Sequence, residues 1–473
     1  MGGSHAHHPA TGEETPSPVV GRGALVVLLV VLIPILIATA GAGVKLWPRG
    51  KPQTSALVVT TGAGGTIVGA EVRSTSAKAC QGTSADRLPD GSIPATVTCA
   101  SVIARITSGR DRGQDVTVAI PPQVYRAGIG PGQKIDLTLF PPVPGDTGIG
   151  SGSDLSGSDI NSTTGDDEVV ADPGAALAAT GDATAPGDLG TLANGDVYAW
   201  ADFSRGLPLG ILAALFAVVV IAVARLRGLA ALVGLALAGL AIGRFMLPAL
   251  RLGENPVAVA LVTSIAIMTV LLYLAHGVSA KTTIALLGTI FGLGLTAGLA
   301  TWASSAAHLN GLGTEDNFTL SALTTRGDLS GVILCGIIIA SLGVLNDVTI
   351  TQTSAVWEVR AHAPHLPGRR LFSSGMRVGR DHLASTVYTI VFAYSGAALT
   401  TLLLIDIYQR PLGQTITSGA IAEEVARTLV GAIGLVLAIP VTTAITAAVL
   451  ATSGRRSPGP DAVPLPSPTE AHA

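Results

Sequence analysis

The chain has 473 residues, of which 48% are hydrophobic and only 12% are charged, and its formal net charge is −3. Soluble proteins are about a quarter charged, so this composition excludes an ordinary soluble domain and indicates lipid as the solvent. A net charge this close to zero also argues against nucleic acid as a partner.

Apolar segments long enough to cross a bilayer occur along most of the chain. A spanning helix needs about 20 mostly apolar residues, because every backbone N–H and C=O group must be satisfied within the helix. The segments that meet this requirement are 24–44, 207–224, 229–250, 256–276, 282–303, 328–346, 382–405 and 428–450. The sequence therefore predicts an α-helical polytopic membrane protein of about eight spans, with the lipid bilayer as its first partner.

Composition divides the chain into six parts. We predict a disordered cytoplasmic tail (1–23), a transmembrane anchor (24–46), an exported β domain (50–140), an acidic disordered insert (141–196), a seven-span bundle (207–450) and a second disordered tail (451–473). The small residues at 38–40 resemble a signal-peptide cleavage site. The apolar run is long for a signal peptide, so we favour an anchor, and either interpretation exports the β domain.

Basic residues predict the orientation, because Lys and Arg accumulate in the short cytoplasmic loops of membrane proteins. With the N-terminus inside, the cytoplasmic side collects Arg22, Arg225, Arg227, Lys281, Arg360, Arg369, Arg370, Arg377, Arg380, Arg455 and Arg456. The short outer loops collect Arg251, Arg326 and Arg410. Only Lys45, Arg49 and Lys51 oppose this arrangement locally. We predict a bacterial cytoplasmic-membrane protein with both termini inside and residues 45–205 outside.

Alternating apolar and polar residues between turn signals predict short strands in the exported domain. These strands are expected at 66–73, 96–106, 114–120 and 135–140. Residues 198–203 are expected to form a last strand or an aromatic anchor at the membrane interface. The pattern predicts a small all-β barrel or sandwich, and we favour an OB-like barrel.

Two segments rich in metal-ligand residue types are interpreted as solvated chain. The 141–196 insert lacks Lys and Arg and carries many Asp residues, but their spacing fits no calcium loop. His5, His7 and His8 in the N-terminal tail lack the accompanying Cys or carboxylate ligands of a metal site. We predict no metal site and no cofactor.

The three cysteines have different expected roles. Cys80 and Cys99 both fall in the exported domain, where an oxidising compartment permits a disulfide. The alternative is two unpaired thiols in adjacent strands, and the sequence alone leaves both open. Cys335 lies within an apolar segment and is expected to be a small apolar filler.

Polar residues converge where the sixth span continues past the hydrocarbon and the seventh begins. Steps of three and four residues place several of them on one face of each helix. The candidate polar cavity consists of Asp347, Thr351, Gln352, Ser354, Glu358, Asp381 and Ser385. Ionisable groups at membrane depth are usually functional. The structural alternative is that Asp381 caps its helix and Asp347 pairs with Arg380.

The same region resembles the YibE/F-like family of bacterial multi-pass membrane proteins. The residues that carry the resemblance are Asp347-Val348-Thr349, Trp357-Glu358, Gly379-Arg380-Asp381, Ala393-Tyr394 and Gly396. The chain departs from the pattern at Tyr388, where the family often has Asn, and at Thr400, where Pro is common. The resemblance implies a single span, an exported β domain and a membrane bundle over about 50–450, and it implies no particular activity.

Two function classes fit these features. A transporter or channel would use the polar cavity between spans six and seven as a path for an unknown solute. A non-transport envelope organiser or sensor would bind a partner protein through the exported domain. An intramembrane protease is rejected, because Ser395 has no histidine base in a later span. The sequence does not indicate a substrate, a coupling ion or an oligomeric state.

Overall fold

The computed structural model describes residues 20–50, 65–81, 88, 92–140, 190–311, 313, 320, 329–408 and 411–452. The chain divides into two compact units, Thr54–Val218 and a second formed by Met1–Gln53 with Val219–Ala473. The predicted N-terminal tail with His5, His7 and His8, most of the acidic insert and the C-terminal tail fall outside the described residues.

In chain order the described elements are α1 (Arg22–Lys45), β1 (Thr66–Cys80), β2 (Val97–Ile106), β3 (Asp115–Ile120), α2 (Pro122–Arg126), β4 (Lys134–Phe140), β5 (Gly190–Thr191), β6 (Val197–Phe203), α3 (Gly206–Ala241), a π-helical turn (Ile242–Met246), α4 (Leu247–Arg251), α5 (Pro256–His276), α6 (Ala280–Ala306), α7 (Leu329–His362), α8 (Gly368–Ala397), α9 (Leu399–Tyr408), α10 (Leu412–Ile416) and α11 (Gly419–Thr452).

The β unit is one antiparallel sheet of six strands in the order β3-β2-β1-β4-β6-β5. Alternate residues of each strand face a common apolar core; in β2 these are Val102, Ala104 and Ile106. The sheet curls until its two edge strands, β3 and β5, meet. They are so close that a Cβ placed on Gly190 of β5 would overlap the carbonyl oxygen of Thr117 in β3. All five predicted strands are present, and β1 extends beyond its predicted end to Cys80.

The helical unit contains six helices that are long and apolar enough to cross a membrane, counted over the described residues. A seventh is added if α8 and α9, which are bent by 69°, form one span. The predicted membrane architecture is confirmed in this coarser form, but the count does not reach eight. The predicted spans 207–224 and 229–250 both fall within Gly206–Arg251, which consists of two helical segments joined at Arg225, where the backbone angles are not helical.

Helices α6, α7 and α11 form the centre of this unit. Helices α6 and α11 approach closely because each presents a glycine to a threonine of the other. A Cβ on Gly288 would overlap Oγ1 of Thr442, and a Cβ on Gly434 would overlap Oγ1 of Thr296. Small residues at such spacings let membrane helices pack by van der Waals contact, because no water is available to drive their association. Cys335 of α7 is buried beside this core, as predicted, and its thiol donates to the Pro256 carbonyl at 3.0 Å.

Candidate functional site

Two long helices carry the predicted polar residues. Helix α7 runs for 34 residues without a break, so the predicted continuation past residue 346 is confirmed. Helix α8 begins at Gly368, well before the predicted start of the seventh span at 382. Asp381 therefore lies in the middle of a helix. The alternative that it caps the helix N-terminus is wrong.

A groove of about 430 Å³ lies between α7 and α8. It is lined by Gly343, Val344, Asp347, His382, Ser385, Thr386, Thr389, Ile390, Ala393 and Tyr394. The α8 residues recur at steps of three and four, so they form one stripe along the helix. The groove thus brings a carboxylate, an imidazole, three hydroxyls and a phenol together on otherwise apolar helices.

The structure brings two of the predicted cavity residues, Asp347 and Ser385, into this groove. Four others do not line it. Thr351, Glu358 and Asp381 are exposed, and the Ser354 hydroxyl donates back to the Ile350 carbonyl at 2.7 Å. Helical geometry explains the difference at Asp381, because successive residues are about 100° apart and the groove follows the stripe that begins at His382.

The remaining predicted residue, Gln352, is a buried link between three helices. Its Nε2 donates to the Gly375 carbonyl of α8 at 2.8 Å and to Thr443 Oγ1 of α11 at 2.7 Å. Gly375 and Gly379 allow α8 to approach this side chain, since a Cβ at Gly379 would lie 2.9 Å from Gln352 Oε1. Gln352 therefore positions α8 and does not line the groove.

The sequence prediction missed His382 and Tyr394 as groove residues. The Nε2 atom of His382 is buried and has no hydrogen-bond partner among the described residues. His382 lies three residues before Ser385, so helical spacing places the two on the same face of α8. The sequence prediction instead assigned Asp381 to that face. No salt bridge between Asp347 and Arg380 occurs within the described chain, and no group of three or more His, Cys, Asp or Glu is placed there to hold a metal ion.

A second polar cluster is buried in the β unit, where Asp111 and Asp196 share donors. Tyr198 donates its hydroxyl to Asp111 Oδ2 at 2.5 Å. Asn194 Nδ2 bridges the two carboxylates at 3.0 and 2.9 Å. Arg110 donates from Nε to Asp196 at 2.8 Å and from a terminal nitrogen to the other oxygen. The cluster ties the β2–β3 turn to β6, and its oxygens are occupied by protein donors.

We predict that this cluster weakens in acid. The Tyr198 hydrogen bond is the main cause that lowers the pKa of Asp111. A lowered pKa stabilises the fold above the ordinary carboxyl value of about 3.9, and that contribution is lost as pH falls through the folded value. The protection of β6 amides against hydrogen–deuterium exchange, corrected for the slower intrinsic exchange in acid, should therefore be lost at a higher pH in Tyr198→Phe than in wild type.

The matched control is Asp115→Asn, which breaks an exposed pair with Arg105 whose two hydrogen bonds measure 2.8 and 3.0 Å. Exposed ion pairs contribute little to stability, so β6 exchange should stay close to wild type. An identical acid profile in Tyr198→Phe and wild type would contradict the proposed role of the hydroxyl.

Cys80 is the last residue of β1, and Cys99 is the third residue of the neighbouring strand β2. Their sulfur atoms are in bonding contact and their Cα atoms are 6.0 Å apart, a separation common among disulfides. Whether the two thiols are oxidised in the protein's own compartment remains a prediction.

A disulfide that closes a loop of 19 residues is expected to contribute about 3 kcal/mol to the stability of the β unit. Mass spectrometry without reductant should detect the linked peptides, and two alkylatable thiols in the folded protein would contradict the bond.

Comparison with known proteins places the chain in a family. No curated protein and no solved structure matches it. The family model described as YibE/F-like protein matches residues 212–452, more than half of the chain. The matched segment contains the α7–α8 groove and the Gln352 link, and it confirms the resemblance drawn from the sequence. The chain belongs to the YibE/F-like protein family.

Proposed function

We propose that the protein is a membrane transporter or channel for a small polar or ionic solute, and that the α7–α8 groove is part of its path. The observation that carries this proposal is the placement of Asp347, His382 and the Ser385–Thr389 hydroxyls along one groove. Polar and ionisable side chains at membrane depth are costly unless they meet water, a partner or a ligand. A solute path gives them such an environment.

The break between α8 and α9 supports the same reading. Helix α8 ends at Ala397, α9 begins at Leu399, and the two are bent by 69°. Non-helical backbone at membrane depth is tolerated where protein or a water-filled cavity surrounds it. Transporters often place their substrate sites at such discontinuous helices. Tyr394, which lines the groove, lies one turn before this break.

We infer eight spans, counting Gly206–Arg251 as two and the bent pair of α8 and α9 as one. A straight helix of 46 residues would be about 69 Å long, about twice the hydrocarbon thickness. Arg225 has non-helical angles of φ 53° and ψ −130°. A Cβ on Gly228 would overlap the carbonyl oxygen of Val220, and residues eight apart in a straight helix are about 12 Å from each other. These features support a reversal of the chain at Arg225.

The basic residues support cytoplasmic termini and an exported β unit, in the bacterial cytoplasmic membrane. Arg369, Arg370, Arg377 and Arg380 on the first half of α8 are all exposed, and such residues are retained on the cytoplasmic side. A reporter that is active only outside the cytoplasm should therefore be active when fused after residue 150 and silent when fused at residue 368. The reverse pattern would overturn the orientation.

Transport is tested by reconstituting the full chain into liposomes. Vesicles that contain the protein should take up or release a protonatable or cationic solute faster than empty vesicles, with internal pH and trapped indicator dyes as the readouts. A matched preparation with Ser385→Trp is expected to be slow, because the indole fills the groove. Equal flux with and without the protein over a panel of ions and small polar solutes would count against transport.

An envelope organiser or sensor is the second candidate, and the β unit favours it. This unit has its own apolar core around Val102 and Tyr198, so it presents a folded surface to a partner. Stable co-purification of an envelope protein, without flux in liposomes, would favour this function. We propose no enzymatic step, because Ser395 has no histidine base in a later span.

A further inference from the structure

Helix α11 carries a buried carboxylate that the groove does not use. Glu423 lies near the start of the apolar helical segment Ile421–Thr452 and is 6% exposed. Its neighbours Ala422 and Ala426 pack against an apolar cluster that includes Leu309 and Ile333. An ionised carboxylate in such surroundings is costly unless its oxygens are hydrogen-bonded or paired.

The two oxygens of Glu423 differ in their surroundings. The backbone N–H groups of Gly311 and Gly313 lie near the carboxyl group. Oε1, however, is fully buried and has no hydrogen-bond partner in the part of the chain that the structure describes. One oxygen is therefore left without the donor that a buried carboxylate requires.

The nearby arginine is already paired with another residue. Arg427 donates to Glu424 Oε2 at 3.0 Å, and both side chains are partly exposed, at 30% and 26%. The other titratable group described beside this pair is Tyr394 of α8, which interacts electrostatically with Arg427 and Glu424. The residues of α6 and α7 packed here, Ala300 and Ile333, are apolar. The cluster of two carboxylates and one guanidinium thus has an excess negative charge that falls on Glu423.

We propose that Glu423 is a proton-binding site, which takes up a proton on Oε1 and releases it as the pH rises. A proton on Oε1 removes the buried charge and leaves the carbonyl oxygen beside the backbone of Gly311 and Gly313. Glu424 stays ionised through its pair with Arg427. This proposal requires that α11 spans the membrane. It does not require that the α7–α8 groove conducts a solute.

Carbodiimide labelling of the full chain in native membranes tests this. Dicyclohexylcarbodiimide adds to a carboxylic acid only in its protonated form and remains attached when water is excluded. Peptide mass spectrometry should find the adduct on Glu423, and labelling should fall about tenfold per pH unit above its midpoint. Glu424 is the matched control on the same helix and should stay unlabelled. Absence of the adduct on Glu423 at every pH, labelling that does not change with pH, or equal labelling of Glu424 would overturn the proposal.

A second measurement separates a proton site from a structural anion. Glu423→Gln imitates the protonated side chain, so its amount in the membrane should equal that of wild type. Glu424→Gln leaves Arg427 without its partner and should lower that amount. Loss of Glu423→Gln from the membrane would show that the ionised form is needed for folding, which would overturn the proposal. Neither readout depends on flux, so the solute path can fail without affecting this result.

Discussion

Gly379→Ala is expected to remove most of the folded protein from the membrane. The new Cβ would lie 2.8 Å from Ile439 Cγ2 and 2.9 Å from Gln352 Oε1. Both distances are shorter than the van der Waals contact of a Cβ with carbon or oxygen. Overpacking of this kind costs about 1 to 3 kcal/mol. Here it also pushes α8 away from Gln352, whose two hydrogen bonds hold α7, α8 and α11 together.

The control lies on the same helix. Gly396 is near the end of α8 and has no atom within 4 Å of a Cβ placed there, so Gly396→Ala should accumulate like wild type. The measurement is the amount of monodisperse protein extracted from membranes, together with its thermal midpoint. Equal yields and midpoints for Gly379→Ala and Gly396→Ala would contradict the close contact between α8 and Gln352.

Helices and strands could be predicted from the sequence where the spacing of apolar residues along the chain determines them. The period of two in β2 and β4 and the long apolar run of α5 depend only on neighbouring residues, so their bounds agree closely with the structure. The start of α8 was missed for a physical reason. Its first turns contain Arg369, Arg370, Arg377 and Arg380, so an apolar window excludes them although they are helical.

The site was predictable only in part, because its contacts are non-local. Periodicity placed Asp347 and Ser385 on helix faces that do meet, but it fixed neither the rotation of α8 nor the inclusion of His382. Gln352 was assigned to the cavity because its other partner, Thr443, is 91 residues away. The Asp111 cluster was missed for the same reason, since Tyr198 is 87 residues from it in sequence.

Asp347→Asn is expected to abolish activity while leaving the protein in the membrane. The side chain is exposed to the groove and has nearly the same shape as Asn, so the change removes charge without opening a cavity. A carboxylate in a solute path attracts a cation by its charge or takes up a proton as its surroundings change, whereas an amide is neutral and takes up no proton. The measurements are complementation of a deletion strain and flux in liposomes, each set against the amount of inserted protein.

Asp381→Asn is the matched control for this last prediction. Asp381 lies on the same helix pair and is exposed, but it does not line the groove. If the groove is the path, Asp347→Asn should lose at least about tenfold in rate, or about 1.4 kcal/mol of stabilisation at the rate-limiting barrier, while Asp381→Asn keeps wild-type activity. Equal activity of both variants and wild type would show that neither charge is needed. Equal loss in both would show that the effect of removing a charge does not depend on whether the carboxylate lines the groove, and this would contradict the solute path. Only a difference between these two carboxylates supports the solute path, because both changes remove one charge from the same region of the protein.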